Sequence, residues 1–212
     1  PDAETVEDTS VEMQINTVAY FNFLVDDIDK RQAVGGLLDA LNNEATQELA
    51  GEMDKDIAAL AGTRDAKKVY SDYLAVNADN VLGTLDLALQ MLHENDVPAD
   101  AKIVATVPPW FLTHLRTAYT KLDTDNSDLL KNGKVGRYNN ILIKMSNNVN
   151  STTSGSNIMV RTERAVAFAN PLTHTEPYRP EKRFSDAVKG YVLYGTKIVR
   201  PKELMILNVK NG

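Results

Sequence analysis

Glu44, Glu48, Glu52 and Asp56 stand at every fourth position of one stretch of the chain. On a helix that spacing sets four carboxylates along one face, opposite Leu49 and Met53. Adjacent like charges at this spacing cost about 0.2–0.5 kcal/mol each, and Lys55 offers little relief. Such a row is either a solvated face or the partner of a basic surface. The first candidate for that surface is the stretch FSDAVKGYVLYGTKIVRPKEL, Phe184–Leu204, with Lys197, Arg200 and Lys202. Pairing between copies of the chain would make these seven residues inter-subunit contacts. The basic stretch also reads as a solvated face, and less well as a nucleic-acid strip, because nucleic-acid readers carry a dense basic patch.

Chemistry of other kinds finds few residues. His93, His114 and His174 stand far apart, with no HxH or HExxH spacing, so they read as structural histidines and no metal ligand is assigned. A Ser-His-Asp arrangement is left open by sequence alone, but no GxSxG elbow is present. Gly35-Gly36 and Gly133-Lys134-Val135-Gly136 lack the spacing of a P-loop or a dinucleotide fingerprint. No catalytic residue and no cofactor is therefore expected. The absence of cysteine excludes disulfides, thiolate catalysis and Cys-ligated metals, and fits a reducing compartment. Trp110 reads as core at the start of a helix rather than as a ligand platform.

The elements that carry these residues can be read from periodicity. Odd positions from Val11 to Val25 are mostly apolar and several even ones polar, which predicts one long strand, bent near Val18–Tyr20. A strand this long exceeds the usual 5–6 residues and should project from the body. Leu41, Ala45, Leu49, Met53, Ile57 and Leu60 predict a helix from about Val34 to Ala61, about 40 Å long at 1.5 Å per residue, ended by Gly62-Thr63. Further helices are expected from Asn77 or Asp79 to Glu94 and from Trp110 to Leu122, the latter started by Pro108-Pro109. Strands are expected at Lys102–Val107, Val135–Met145 and Ser156–Arg161. Ser146-Asn147-Asn148-Val149 reads as a turn, since Asn tolerates positive φ. Arg164–Asn170 fits helix or strand, and Pro171–Pro180 reads as a linker. The basic tail reads as a closing strand pair, with Gly190 and Gly195 marking bends and Pro201 limiting further pairing.

At 212 residues the chain suits one large domain or two small interleaved ones. Its charge is uneven. Residues 1–62 hold 14 acidic and 3 basic side chains, whereas residues 178–212 hold 3 acidic and 8 basic. No apolar run approaches the ~20 residues that span a membrane. The chain opens at Pro1 rather than Met, which suggests a processed product or a fragment.

In order and spacing, five stretches resemble the major capsid proteins of tailed bacteriophages, with their Hong Kong 97-type fold. They are VDDIDKRQA (Val25–Ala33), MDKDIAALAG (Met53–Gly62), VPADAKIVATVPPWFLTHL (Val97–Leu115), NGKVGRYNNILIKMSNNV (Asn132–Val149) and AVAFANPLTHTEPYRPEKRFSDAVKGYVLYGTKIVRPKEL (Ala165–Leu204). The resemblance implies an α+β fold with a long spine helix, a peripheral domain, an axial domain and an extended β arm. Residues 1–25 would be the returning strand of the extended loop, 26–62 and 176–212 the peripheral domain, and 63–175 the axial domain. The family's N-terminal arm and outgoing loop strand have no counterpart here, which implies removal by a maturation protease or truncation.

The function so implied is a shell subunit, not an enzyme, self-assembling into an icosahedral head around double-stranded DNA. Its partners would be copies of itself and scaffolding, portal and decoration proteins, with weak nonspecific DNA contact inside the shell and no membrane. It would reside in the virion after assembly in the bacterial host cytoplasm. An encapsulin-like cellular nanocompartment shell is the first alternative. A small α/β enzyme with a site of scattered Asp, His and Arg is the second.

Overall fold

The computed structural model describes residues 10–26, 37–121, 136–181 and 185–212. In chain order the elements are β1 (Thr17–Asp26), α1 (Leu37–Ala59), β2 (Lys67–Lys68), β3 (Leu74–Val76), α2 (Val81–Glu94), β4 (Ile103–Val107) and α3 (Pro109–Lys121). There follow β5 (Arg137–Tyr138), β6 (Ile141–Met145), β7 (Asn150–Thr152), β8 (Gly155–Thr162), β9 (Val166–Tyr178), β10 (Ser185–Ile198) and β11 (Leu204–Asn211). This mixture bears out the α+β expectation. Among the described residues, no helix is long and apolar enough to cross a membrane.

The described strands form two sheets. The larger has eight strands, in the order β2-β11-β8-β4-β6-β5, with β3 beside β11 and β7 beside β8. Its core is made by alternation. Ile103, Ala105 and Val107 of β4, Ile158 and Val160 of β8, and Met205, Leu207 and Val209 of β11 lie on one face. Against them pack Val81, Leu85, Ala88 and Leu92 of α2 and Phe111, Leu112, Leu115 and Ala118 of α3, spaced three or four apart as an amphipathic helix requires. The opposite face carries a smaller cluster, with Met159, Leu204 and Ile206 beneath Ala61, Ala66, Ala165 and Ile198.

The smaller sheet has the order β1-β10-β9, antiparallel throughout. β1 pairs with β10 from Thr17↔Tyr194 to Asp26↔Ser185. Its inner face holds the half-buried Phe21 and Phe23, stacked 5.8 Å apart, with Val192 and Tyr194 buried beside them. α1 lies on this side, where the Tyr194 hydroxyl donates to Asp56 Oδ2 at 2.5 Å.

Several expectations change. The first strand occupies Thr17–Asp26, while residues 10–16 are extended without a ladder. Residues 12–15 instead cross β10, where Lys197 Nζ donates to the Glu12 carbonyl at 2.5 Å and Gly195 leaves room for the Gln14 backbone. The supposed linker Pro171–Pro180 lies mostly within β9, which runs unbroken through Pro171 and Pro177. An edge strand tolerates proline, and the register shift between Leu193 and Gly195 falls opposite Pro171.

The tail is not one strand pair. β10 completes the smaller sheet, a short 3-10 turn starts at Pro201, and β11 then enters the larger sheet between β8 and the β2/β3 edge. The positive-φ asparagine is Asn139, at the β5–β6 hairpin turn, not one of Asn147–Asn148. Asp27–Ala33 of the first resembling stretch, the expected helix start at Val34 and the expected strand start at Val135 lie outside the described residues.

Candidate functional site

The two faces of the smaller sheet differ, and strand register sets the difference. Even positions of β1 share a face with odd positions of β10 and even positions of the outer half of β9. That outer face carries Val18, Tyr20 and Leu24, then Tyr191, then Leu172, all exposed, with Tyr20 at 80%. Single exposed apolar residues are ordinary, whereas a row of them across three paired strands is not.

A polar band crosses the same face. Lys189 Nζ pairs with Glu176 Oε1 at 2.6 Å, and His174 Nε2 lies 3.2 Å from Glu176 Oε2. The Lys189 ammonium also sits 5.1 Å from the centre of the Tyr178 ring, whose hydroxyl bonds Asn22. The hydrogen bond from Lys189, aided by His174 and the Lys189 charge, holds the Glu176 carboxyl below the usual range, and the same bond raises the lysine. The face therefore supplies apolar area and a band of charges already paired with one another.

The acidic row on α1 is placed as its spacing required. Glu44, Glu48 and Glu52 are exposed, while Ala45 is buried and Leu49 and Met53 half-buried. Lys55 pairs with Glu52 at 2.6 Å, whereas Asp56 turns inward to Tyr194. Burial raises the pKa of Tyr194, and its bond to Asp56 and the nearby carboxylates add to the shift. The basic residues proposed to meet this row do not reach it within the chain. Lys197 is held by the Glu12 carbonyl, and Arg200 pairs with Glu203 at 2.9 Å. Lys202 is exposed.

Glu203 anchors the place where the two sheets part. Thr162 Oγ1 donates to its Oε2, and Arg200 and Arg164 reach its Oε1 at 2.9 and 3.3 Å. Burial pushes this carboxyl upward, but the Thr162 and Arg200 bonds and the two arginine charges outweigh it and hold the pKa below the usual range.

The histidines have local partners. His93 Nδ1 donates to the Val97 carbonyl at 2.9 Å, His114 Nε2 lies 2.7 Å from Asn211 Oδ1, and His174 belongs to the polar band. Among the described residues, no three His, Asp or Glu side chains gather as a metal site would need. Trp110 is half-buried against the larger core, edge-on to Phe111 and His114.

Sequence reasoning assigned the acidic row and the basic tail but not the outer sheet face. The signal was present: Val18, Tyr20 and Leu24 are apolar at positions that strict alternation would make polar, as in a strand covered on both faces.

No family model matches the sequence, and no curated protein matches it. Solved structures do. A chain of Mycobacterium phage Che8 superposes with a TM-score of 0.83 at 27% identity, over 98% of this chain and 76% of that one. The capsid structure of the cyanophage P-SCSP1u gives 0.71 at 15% identity, over 94% and 74%. The mature capsid of bacteriophage PhiM1 gives 0.67 at 16%, over 99% and 77%. The holo-SrpI encapsulin complex of Synechococcus elongatus shares the fold less closely, at 0.56 and 9%, over 92% and 74%.

Proposed function

We propose that this chain, which has the fold of the tailed-phage capsid proteins, is a major capsid protein that self-assembles into an icosahedral head around double-stranded DNA. The observation that carries the reading is the likeness, over nearly the whole chain, to a mycobacteriophage chain more than a quarter identical to it. The outer face of the smaller sheet supports it. A row of exposed apolar residues with a self-neutralised polar band is what a repeated protein contact requires. The role is structural rather than catalytic.

In finer terms, α1 serves as the spine helix and β1 as the returning strand of the extended arm. Residues 26–62 and 176–212 make the peripheral domain and 63–175 the axial domain, with β9 crossing from the second into the first. β11 returns into the axial sheet, so the last strand ties the two domains together. Copies of the chain are the principal partners, joined through the outer sheet face and through pairing of Glu44, Glu48, Glu52 and Asp56 with Lys197, Arg200 and Lys202 of neighbours. Scaffolding, portal and decoration proteins complete the particle. DNA contact on the inner wall is weak and nonspecific, and assembly takes place in the host cytoplasm.

Negative-stain microscopy of the full-length protein expressed alone tests the reading. Closed shells or capsomer rings are expected, and a persistent monomer of the complete chain overturns it. The encapsulin alternative has the likeness to the Synechococcus complex in its favour. A cargo enzyme inside purified particles would select it, whereas packaged DNA selects the phage head.

A further inference from the structure

A cleft of about 550 Å³ lies between α1 and the face of the larger sheet that α2 and α3 leave uncovered. Asp54, Ile57 and Ala58 of α1 form one wall. Thr106 of β4, Lys144 of β6, and Asn157 and Arg161 of β8 form the other. Its size is that of a pocket for a small ligand or a few residues of peptide.

The polar groups in it are incompletely used. Arg161 is partly buried, and burial lowers its pKa. Yet its guanidinium, with five N–H donors, makes one hydrogen bond among the described residues, 3.3 Å to the Thr162 carbonyl. Lys144 makes no ion pair with any described residue. Asp54 and Glu163 line the same cleft, but neither pairs with Lys144 or Arg161; Glu163 acts on Arg161 only through its charge. Asn157 is 4% exposed. Its Nδ2 donates to Asn150 Oδ1 at 3.2 Å, while its Oδ1 accepts nothing. That oxygen is enclosed and offers no surface to a molecule in the cleft.

The complementary ligand therefore carries a carboxylate for Arg161 and Lys144. An acidic side chain of a peptide supplies it. The carboxylates of Asp54 and Glu163 at the cleft disfavour a dense acidic run, so the fit is to a peptide with a single acid. We infer that this cleft holds an acidic peptide segment of a second copy of the chain. The source rests on the shell reading and on the chain's own acidic excess, 14 acidic against 3 basic residues in positions 1–62.

Two measurements on the full chain test it. The first is calorimetric titration with an acetylated, amidated hexapeptide of Gly and Ser carrying one glutamate, and with its glutamine twin. The glutamate peptide is expected to bind at least tenfold more tightly, and Arg161→Gln and Lys144→Gln are each expected to erase that preference. Lys144 is exposed, so its variant folds even if the Arg161 variant does not. Equal binding of the two peptides, or a preference kept in a folded variant, overturns the site. The second is particle yield by microscopy, expected to fall at least tenfold in both variants. Normal yield beside a lost peptide preference overturns the second copy as the source. A wild-type chain that never assembles strikes the shell reading itself, and the peptide preference still reports on the cleft.

Discussion

In the larger sheet, Met205, Leu207 and Val209 point into a layer of helices and are fully buried, whereas in the smaller sheet Val18, Tyr20 and Leu24 point to solvent. Both regions are built from alternating strands of similar composition. The first completes its core within one chain, because α2 and α3 supply a second layer. The second has a helix on its inner face, and its outer apolar row has no covering layer among the described residues. Layers must cover one another for burial to stabilise a fold, and among the described residues this sheet has a layer on one side only. The contrast separates what stabilises the subunit from what is left for its neighbours.

The contrast is broken most severely inside the completed core. Leu207→Ala removes a fully buried side chain from an interior strand and should lower stability by about 2–5 kcal/mol, read by denaturant unfolding. Unchanged stability would mean that the larger sheet is not the folding core.

Gly190→Ala acts within the open sheet. A Cβ there would stand 2.5 Å from the Phe21 ring and 3.0 Å from the His174 carbonyl, so the ring must leave the inner face. A loss of about 1–3 kcal/mol is expected, with the change seen in NMR shifts of β1 and β9 and little change in α2 and α3.

Glu203→Gln tests the joint between the two regions. It removes the charge that Arg200 and Arg164 share and should cost about 1–2 kcal/mol, discounted because both arginines are half exposed. The pH dependence has a definite sign. The folded carboxyl titrates below its unfolded value near 4.5, so the folded state binds fewer protons. Its contribution is complete above that value and is lost as pH falls through the folded pKa. The Gln variant should lack this part of the acid-induced loss, and acid unfolding identical in slope to wild type would contradict it.

The smallest effects on the subunit sharpen the comparison. Tyr20→Ser should change monomer stability by no more than about 0.5 kcal/mol, because the ring is 80% exposed, while reducing particle yield. Glu44→Gln with Glu48→Gln should leave the fold intact and weaken the salt dependence of assembly. If neither variant alters assembly, the outer face and the acidic row are ordinary solvated surface.

Much of the fold was legible locally. The helices at 37–59, 81–94 and 109–121 follow from three- and four-residue spacing, and their ends from Gly62-Thr63, Asn95-Asp96 and Pro108-Pro109. The β9 strand was hidden because proline reads as a breaker, and only its edge position and bulge make Pro171 and Pro177 tolerable. Of the candidate site, the sequence showed the acidic row but could not show that Asp56 leaves it for Tyr194, 138 residues away.

Alternation along β1, the amphipathic stripe of α1 and the unequal distribution of charge are properties of residue order, and the sequence alone determined them. Which strands pair is a property of contacts distant in sequence. That β11 passes by β10 and β9 to lie beside β8, that Glu203 ties the two sheets, and that Asn157 and Arg161 share a half-filled cleft under α1 were decided only by tertiary structure. Local periodicity gives each strand its faces, but neighbours are chosen by burial and hydrogen bonding summed over the whole chain.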